Sequence, residues 1–171
     1  SVDRGVVDAT VTAELRLVSC SNVIPLTRID LIIEGLSRLP DTVQVQWHHF
    51  GAGVSQEKLE AFAKEKFQNR ANIQWKFHGF VPNSLLTEEY RRIKPNLFIT
   101  TSSTEGGAPV SIQEAFSMGI PAIGTTVGGI PDLILDGQTG FLLPEQAEPS
   151  DVADAIVKYA SLDEEQKKNM A

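Results

Sequence analysis

The stretch that decides the fold is residues 96–125, NLFITTSSTEGGAPVSIQEAFSMGIPAIGT. It begins with a strand whose centre, Leu97–Ile99, is continuously apolar, as expected in a sheet covered on both faces. A polar loop containing two glycines follows, and then a helix with Ile112 and Ala115 on its inner side. Residues 121–125 form a second apolar strand. The order strand, loop, helix, strand predicts one unit of a parallel sheet.

The same alternation extends to both sides of this stretch. Further strands are predicted at 13–19, 43–50, 73–79 and 140–143. Helices are predicted at 28–39, after the N-cap Ser55, at 84–93, at 130–135 and after the N-cap Ser150, with a last helix from Asp163. Six strands alternating with helices predict an α/β fold with a doubly wound, parallel, six-stranded sheet of Rossmann type. Residues 1–171 then form a single domain.

Composition excludes several classes of protein. The 171 residues include 15 basic and 22 acidic side chains, a net charge of −7, which argues against binding to nucleic acid or to an anionic membrane surface. The single cysteine, Cys20, cannot form an internal disulfide, so a reducing, cytoplasmic compartment fits best. No apolar run approaches 18 residues, the length a membrane span needs. Because the chain starts at Ser1 without methionine, we expect it to be an excerpt of a longer protein.

Small, hydroxyl-bearing and glycine residues follow five of the predicted strands. Ligands of doubly wound sheets bind at the carboxyl ends of the strands, so these loops are expected to lie on one rim of the sheet. Gly106 and Gly107, at the start of a helix, are the best candidate cradle for a phosphate, although glycines also simply turn the chain. Gly51-Ala52-Gly53 lacks the third glycine of a dinucleotide fingerprint, and no loop ends in the Gly-Lys-Ser/Thr of triphosphatases.

Two carboxylates stand near this loop. Glu105 precedes the glycine pair, and Glu114 lies on the side of the helix opposite its apolar residues. Each carboxylate could accept hydrogen bonds from a ligand. The alternatives are that Glu105 is an ordinary loop carboxylate and that Glu114 is an ordinary solvated helix residue. His48 and His49 are adjacent, so on a strand they face opposite ways and are most simply packed or solvated. Neither they nor Cys20, read as a small buried residue, form a recognisable metal or nucleophile site.

Three segments resemble one family, the retaining glycosyltransferases of family 4. Residues 100–142 carry its glutamate, glycine and Gly-Gly-Ile-Pro-Asp motifs, residues 17–34 resemble its first strand, loop and helix, and residues 78–82 its third-strand exit. The resemblance covers nearly the whole chain. It implies the C-terminal half of a GT-B enzyme, the half that holds a nucleotide-sugar donor, with the N-terminal acceptor half missing.

The resemblance implies transfer of a hexosyl group to an acceptor hydroxyl with retention of configuration, in bacterial surface polysaccharide or glycolipid synthesis. It assigns catalysis near the reacting carbon to Glu105 and ribose binding to Glu114. Gly106, Gly107, Ala108 and Pro109 would contact the diphosphate and sugar, and Phe80, Val81 and Pro82 would flank the base.

The resemblance also sets expectations for cofactors and partners. The donor would be a nucleoside diphosphate sugar held without a metal or other cofactor. The acceptor, a glycan or glycolipid, would be positioned by the missing domain, so the isolated chain should be inactive. A cytoplasmic enzyme, with peripheral attachment to the inner membrane face as an option, is implied.

Three departures from the family pattern bear on activity. Eight residues, 106–113, separate the glutamates, one more than is usual. Asn22 and Thr27 occupy the places of the arginine and lysine that bind the diphosphate, with Arg28 as the candidate substitute. Asp132 stands where glutamate is commoner. The alternatives are therefore a non-catalytic nucleotide-binding or assembly domain of the same fold and a GT-B-type epimerase. The sequence does not identify the sugar, the base or the acceptor.

Overall fold

The computed structural model describes residues 14–104 and 108–171, and it contains six strands and seven α-helices within them. The strands are β1 (Glu14–Cys20), β2 (Gln44–Phe50), β3 (Ile73–Phe77), β4 (Leu97–Thr100), β5 (Ala122–Thr125) and β6 (Gly140–Leu143). The helices are α1 (Ile29–Ser37), α2 (Gln56–Lys66), α3 (Asn83–Ile93), α4 (Ala108–Ser117), α5 (Ile130–Leu133), α6 (Pro149–Ala160) and α7 (Glu164–Met170). The predicted alternation of strands and helices is confirmed.

All six strands are parallel and lie in the order β3-β2-β1-β4-β5-β6. The direction of winding reverses at β1, which pairs with β2 on one side and with β4 on the other. The predicted doubly wound parallel sheet is therefore confirmed. In such sheets the connections leaving the two central strands diverge to opposite faces and leave a crevice between them.

Side chains of successive strand residues enter two separate cores. Leu17 and Trp47 belong to the core beneath α1, α2 and α6, whereas Val18 and Phe50 belong to the core beneath α3 and α4. Both faces of the sheet are thus covered, which explains the continuously apolar strand centres. Helix α1 approaches α6 closely, since a Cβ on Gly35 would lie 2.4 Å from Cγ1 of Val152.

Three helix starts differ from the sequence prediction, the smallest case being α3, which begins at Asn83 rather than at residue 84. The first helix begins at Ile29 rather than at residue 28, because Arg28 has a left-handed φ of 52° after a 3-10 turn over Pro25–Thr27. The last long helix does not begin after Ser150: Pro149 is its first residue and Glu148 its N-cap. Proline suits this first position because its φ is already helical and its missing N–H has no partner there to lose.

Within the residues that the structure describes, no helix combines the length and the apolar character that crossing a bilayer requires.

Candidate functional site

A cleft of about 270 Å³ lies at the carboxyl ends of β1 and β4, where the winding of the sheet reverses. Its walls come from the loops after β1, β2, β3 and β4 and from the first turns of α4. Hydroxyl groups are frequent along it: Ser21, Thr27, Thr100, Ser102, Thr104 and Ser111. The predicted clustering of strand-end loops around one crevice is therefore seen for these four strands.

Side-chain hydrogen bonds hold the loop between β1 and α1 along one wall of the cleft. The Thr27 hydroxyl lies 2.7 Å from the Asn22 carbonyl and 2.8 Å from the Ile24 carbonyl, so it closes the loop on itself. From the neighbouring loop, Thr101 Oγ1 donates to the Arg28 carbonyl at 2.7 Å and Ser103 Oγ to the Leu26 carbonyl at 2.8 Å. Side-chain hydroxyls thus satisfy carbonyls of an irregular segment that strand pairing or helical bonds would otherwise satisfy.

The lining of the cleft is polar but uncharged. Of the described residues that line it, none is lysine, arginine, aspartate or glutamate. Burial, followed by the nearby Glu114 carboxylate, raises the pKa of the Cys20 thiol to about 11, so this side chain is neutral as well. An anionic ligand would meet hydroxyls, amides and backbone N–H groups here rather than ammonium or guanidinium groups.

Asn22 and Arg28, the two predicted diphosphate contacts, lie in different places. Asn22 is exposed and lines the cleft. Arg28 is not among the lining residues, and its guanidinium forms two hydrogen bonds of 3.1 Å with the Asp30 carboxylate. Ion pairs as exposed as this one contribute at most about 1 kcal/mol, so a stronger anion could draw Arg28 away.

Glu114 is not among the residues that line the cleft, but it stands on α4 one turn after Ser111, which does. Its half-buried side chain on α4 is close enough to influence two acids, because its negative charge adds to burial in raising the pKa values of Cys20 and Tyr90. No hydrogen bond joins its carboxylate to another described residue. Glu105, Gly106 and Gly107 lie outside the described residues, so the predicted pairing of the two glutamates stays a prediction.

The other predicted contacts divide between the cleft and its surroundings. Phe80 and Val81 line the cleft, and the Phe80 ring is 76% exposed at its mouth. Ala108 also lines it, whereas Pro82 and Pro109 are not among the lining residues. An aromatic face left in water at the edge of a crevice favours a planar, stacking ligand.

The residues that sequence reasoning missed include Phe50, Asn83 and Ser111, which line the cleft. Phe50 ends β2, and its buried ring stacks on His78 with centroids 4.3 Å apart and planes 12° apart. Their common signal is position, since each lies at a strand end or in the first two turns of a helix on the carboxyl edge of the sheet.

The histidines line no part of the cleft. His48 and His49 face opposite sides of β2, as predicted: His48 Nδ1 lies 2.8 Å from His78 Nε2, while His49 is fully buried on the other face. Burial lowers the pKa of both, to about 4 in each case. Among residues 14–104 and 108–171, no three His, Cys, Asp or Glu side chains converge to hold a metal ion.

The strand order, together with a crevice at the reversal point, defines a Rossmann-like domain, and its fold matches the Rossmann-like domains of GT-B glycosyltransferases. The chain belongs to the family "Glycosyl transferases group 1", whose profile matches residues 14–161.

Three known proteins illustrate the similarity. The putative colanic acid biosynthesis glycosyltransferase WcaL of Salmonella typhimurium is 25% identical over 154 residues, which cover 87% of this chain and 37% of that protein. The structure of Anabaena Alr3699/HepE with UDP and glucose superposes with a TM-score of 0.71 at 21% identity, covering 94% of this chain and 42% of the other. The catalytic domain of the Helicobacter pylori cholesterol-alpha-glucosyltransferase gives 0.76 at 16% identity, with 92% of each chain covered. The chain thus spans less than half the length of WcaL and HepE.

Proposed function

We propose that the cleft between β1 and β4 binds a nucleoside diphosphate sugar, and that the chain is the donor-binding domain of a retaining, family 4 glycosyltransferase. The observation that carries this proposal is the position of the cleft at the reversal point of the sheet, with an exposed aromatic ring at its mouth and hydroxyl groups inside. The resemblance to HepE, whose structure contains UDP and glucose, supports the choice of ligand.

The proposed roles follow the layout of the cleft. Phe80 and Val81 take the base, with Pro82 fixing the start of α3, and Glu114 accepts hydrogen bonds from the ribose hydroxyls. Gly106, Gly107, Ala108 and Pro109 are assigned to the diphosphate and sugar, and Glu105 is assigned the catalytic role near the reacting carbon of the hexosyl group. No metal takes part in this proposal, because hydroxyls, amides and backbone N–H groups carry the diphosphate charge.

The longer protein is proposed to work as a cytoplasmic two-domain enzyme in surface polysaccharide or glycolipid synthesis, the area to which WcaL belongs by name. Its other domain would bind the acceptor glycan or glycolipid. The 171-residue chain alone should bind the donor without transferring its sugar, since catalysis needs both reactants held in one geometry.

One observation favours a second candidate, a non-catalytic nucleotide-binding or assembly domain of the same fold. The only positively charged group of the β1–α1 loop, Arg28, is bonded to Asp30, and the cleft lining that the structure describes is neutral. Weak diphosphate binding that does not strengthen when Asp30 is replaced by asparagine would favour this candidate, whereas recruitment of the released Arg28 would favour the transferase.

Glu114→Gln is expected to weaken the binding of UDP or GDP about five- to tenfold, because the amide keeps only part of the acceptor capacity of the carboxylate. The free energy of unfolding should change by less than about 0.5 kcal/mol, since the carboxylate bonds to no described residue. Isothermal titration calorimetry in the presence of EDTA and urea unfolding measure the two quantities.

The matched control is Glu88→Gln, which removes the same charge from an exposed position on α3. It should leave the affinity unchanged. Equal affinities of the wild type and Glu114→Gln would remove Glu114 from the ribose site.

A further inference from the structure

A chain of hydrogen bonds runs from the core to the wall of the cleft through His49. Trp47 Nε1 donates to Ser19 Oγ at 2.9 Å, which leaves the Ser19 hydroxyl proton for His49 Nδ1 at 2.7 Å. His49 Nε2 then donates to the carbonyl of Ser21 at 3.1 Å. The three side chains that form these hydrogen bonds are buried, with 0% exposure for Trp47 and His49 and 2% for Ser19.

The pattern of donors fixes the state of the imidazole. The Ser21 carbonyl can only accept, so Nε2 of His49 carries the proton and Nδ1 of the neutral ring accepts from the Ser19 hydroxyl. Burial keeps the ring neutral by lowering its pKa to about 4. A single neutral tautomer therefore presents one N–H group to the Ser21 carbonyl.

The Ser21 carbonyl is held from a second side by Gly51. A Cβ at position 51 would lie 1.9 Å from this oxygen, so the two backbones touch directly. The Ser21 N–H also donates to the Phe50 carbonyl at 3.0 Å. Ser21, Gly51 and the following Asn22 all line the cleft. His49 thus reaches from the core to the segment that forms the cleft wall, without itself entering the cleft.

We propose that His49 is a positioning residue for ligand binding: its Nε2–H fixes the Ser21 carbonyl and so sets the direction of the Ser21–Asn22 backbone in the cleft. The proposal rests on the proposed nucleotide-binding function. Ser21 and Asn22 both line the cleft, so under the proposed function this loop is the one that the diphosphate contacts. A loop whose direction is fixed before the ligand arrives binds without a further entropic cost of ordering.

The test compares three variants of the 171-residue chain. His49→Phe keeps an aromatic ring but removes the bond to Ser21, His49→Gln places an amide N–H near the position of Nε2, and Ser19→Ala disturbs the same buried network without touching Ser21. UDP affinity by calorimetry and the free energy of unfolding by urea are measured for each variant, together with the amide spectra of Ser21 and Asn22.

Positioning predicts that His49→Phe binds UDP about five- to tenfold more weakly, the effect of one lost hydrogen bond. His49→Gln should recover most of this loss. Ser19→Ala should lose stability but keep the affinity within about twofold, since the bond from His49 to the Ser21 carbonyl remains. If His49→Phe does not fold, the comparison of His49→Gln with Ser19→Ala at matched stability decides the question: weaker binding by Ser19→Ala would overturn positioning.

Unchanged affinity in His49→Phe, or losses in all variants that follow stability alone, would also overturn the proposal. Failure of the wild type to bind UDP or GDP would refute the proposed function. In that case the amide signals of Ser21 and Asn22 still distinguish the two ideas, because only the loop-fixing role requires them to shift and exchange faster with water in His49→Phe than in Ser19→Ala.

Discussion

Gly51→Ala is expected to destabilise the domain by about 4 kcal/mol, at the severe end of single substitutions. The residue has φ of +133°, a conformation that alanine rarely adopts, and the new Cβ would lie 1.9 Å from the carbonyl oxygen of Ser21. Relief by small movements is blocked, since Gly51 N–H donates to the Gly79 carbonyl at 2.8 Å and Ser21 is tied to Phe50 and His49. Urea unfolding measures the loss, and nucleotide affinity should fall with it because both residues line the cleft.

Gly79→Ala is the matched control for this substitution. Gly79 also has a positive φ, +77°, but a Cβ there would meet no atom within 4 Å. Only the backbone strain of the positive φ remains, so Gly79→Ala is expected to lower the free energy of unfolding by about 1–2 kcal/mol. Equal losses of stability in the two variants would show that the close approach of Gly51 to the Ser21 carbonyl adds nothing to the cost of the substitution.

Asn22→Arg is expected to tighten the binding of UDP or GDP about 10- to 100-fold. A guanidinium would join a cleft whose described lining carries no charge, and charge-assisted hydrogen bonds are typically worth about 1.5–3 kcal/mol each. The position tolerates the change because Asn22 is exposed and its side chain makes no hydrogen bond to the described residues. Calorimetry at two salt concentrations measures the gain, which should shrink as salt rises.

Asn22→Gln, which lengthens the side chain without adding charge, should bind like the wild type. Uridine, which has no phosphate, should not distinguish Asn22→Arg from the wild type. A gain in affinity for uridine as large as that for UDP would contradict the placement of the diphosphate beside the loop after β1.

The fold could be predicted from sequence because burial on both faces of a parallel sheet leaves a strong local record. The apolar centre of Leu97–Ile99 and the helical spacing of Ile112 and Ala115 follow directly from it. Helix starts were less predictable. Ser150 has a residue type typical of caps, but Pro149 determines the start of that helix, and Ser55 occupies the N-cap position of α2 without a side-chain hydrogen bond.

The position of the cleft was also predictable, since parallel strands bring their carboxyl ends to one edge of the sheet. The contacts that each side chain makes in the cleft could not be predicted from the sequence. Thr27 uses its hydroxyl to close its own loop, and Arg28 turns to Asp30 after adopting a left-handed φ. The backbone of the same loop is also bonded by distant residues, such as Thr101, 74 positions from the Thr27 carbonyl that it contacts, and no local pattern records such a contact.

The central claim is that a nucleotide binds this chain in the cleft between β1 and β4. Titration of the 15N-labelled chain with UDP and with GDP, in EDTA, measures this through the shifts of its amide signals. We expect metal-independent binding of at least one of the two, with the largest shifts at residues 20–27, 80–83 and 100–114 around the cleft. Shifts confined to the opposite edge of the sheet, or no shift with either nucleotide at millimolar concentration, would contradict a nucleotide-sugar site between β1 and β4.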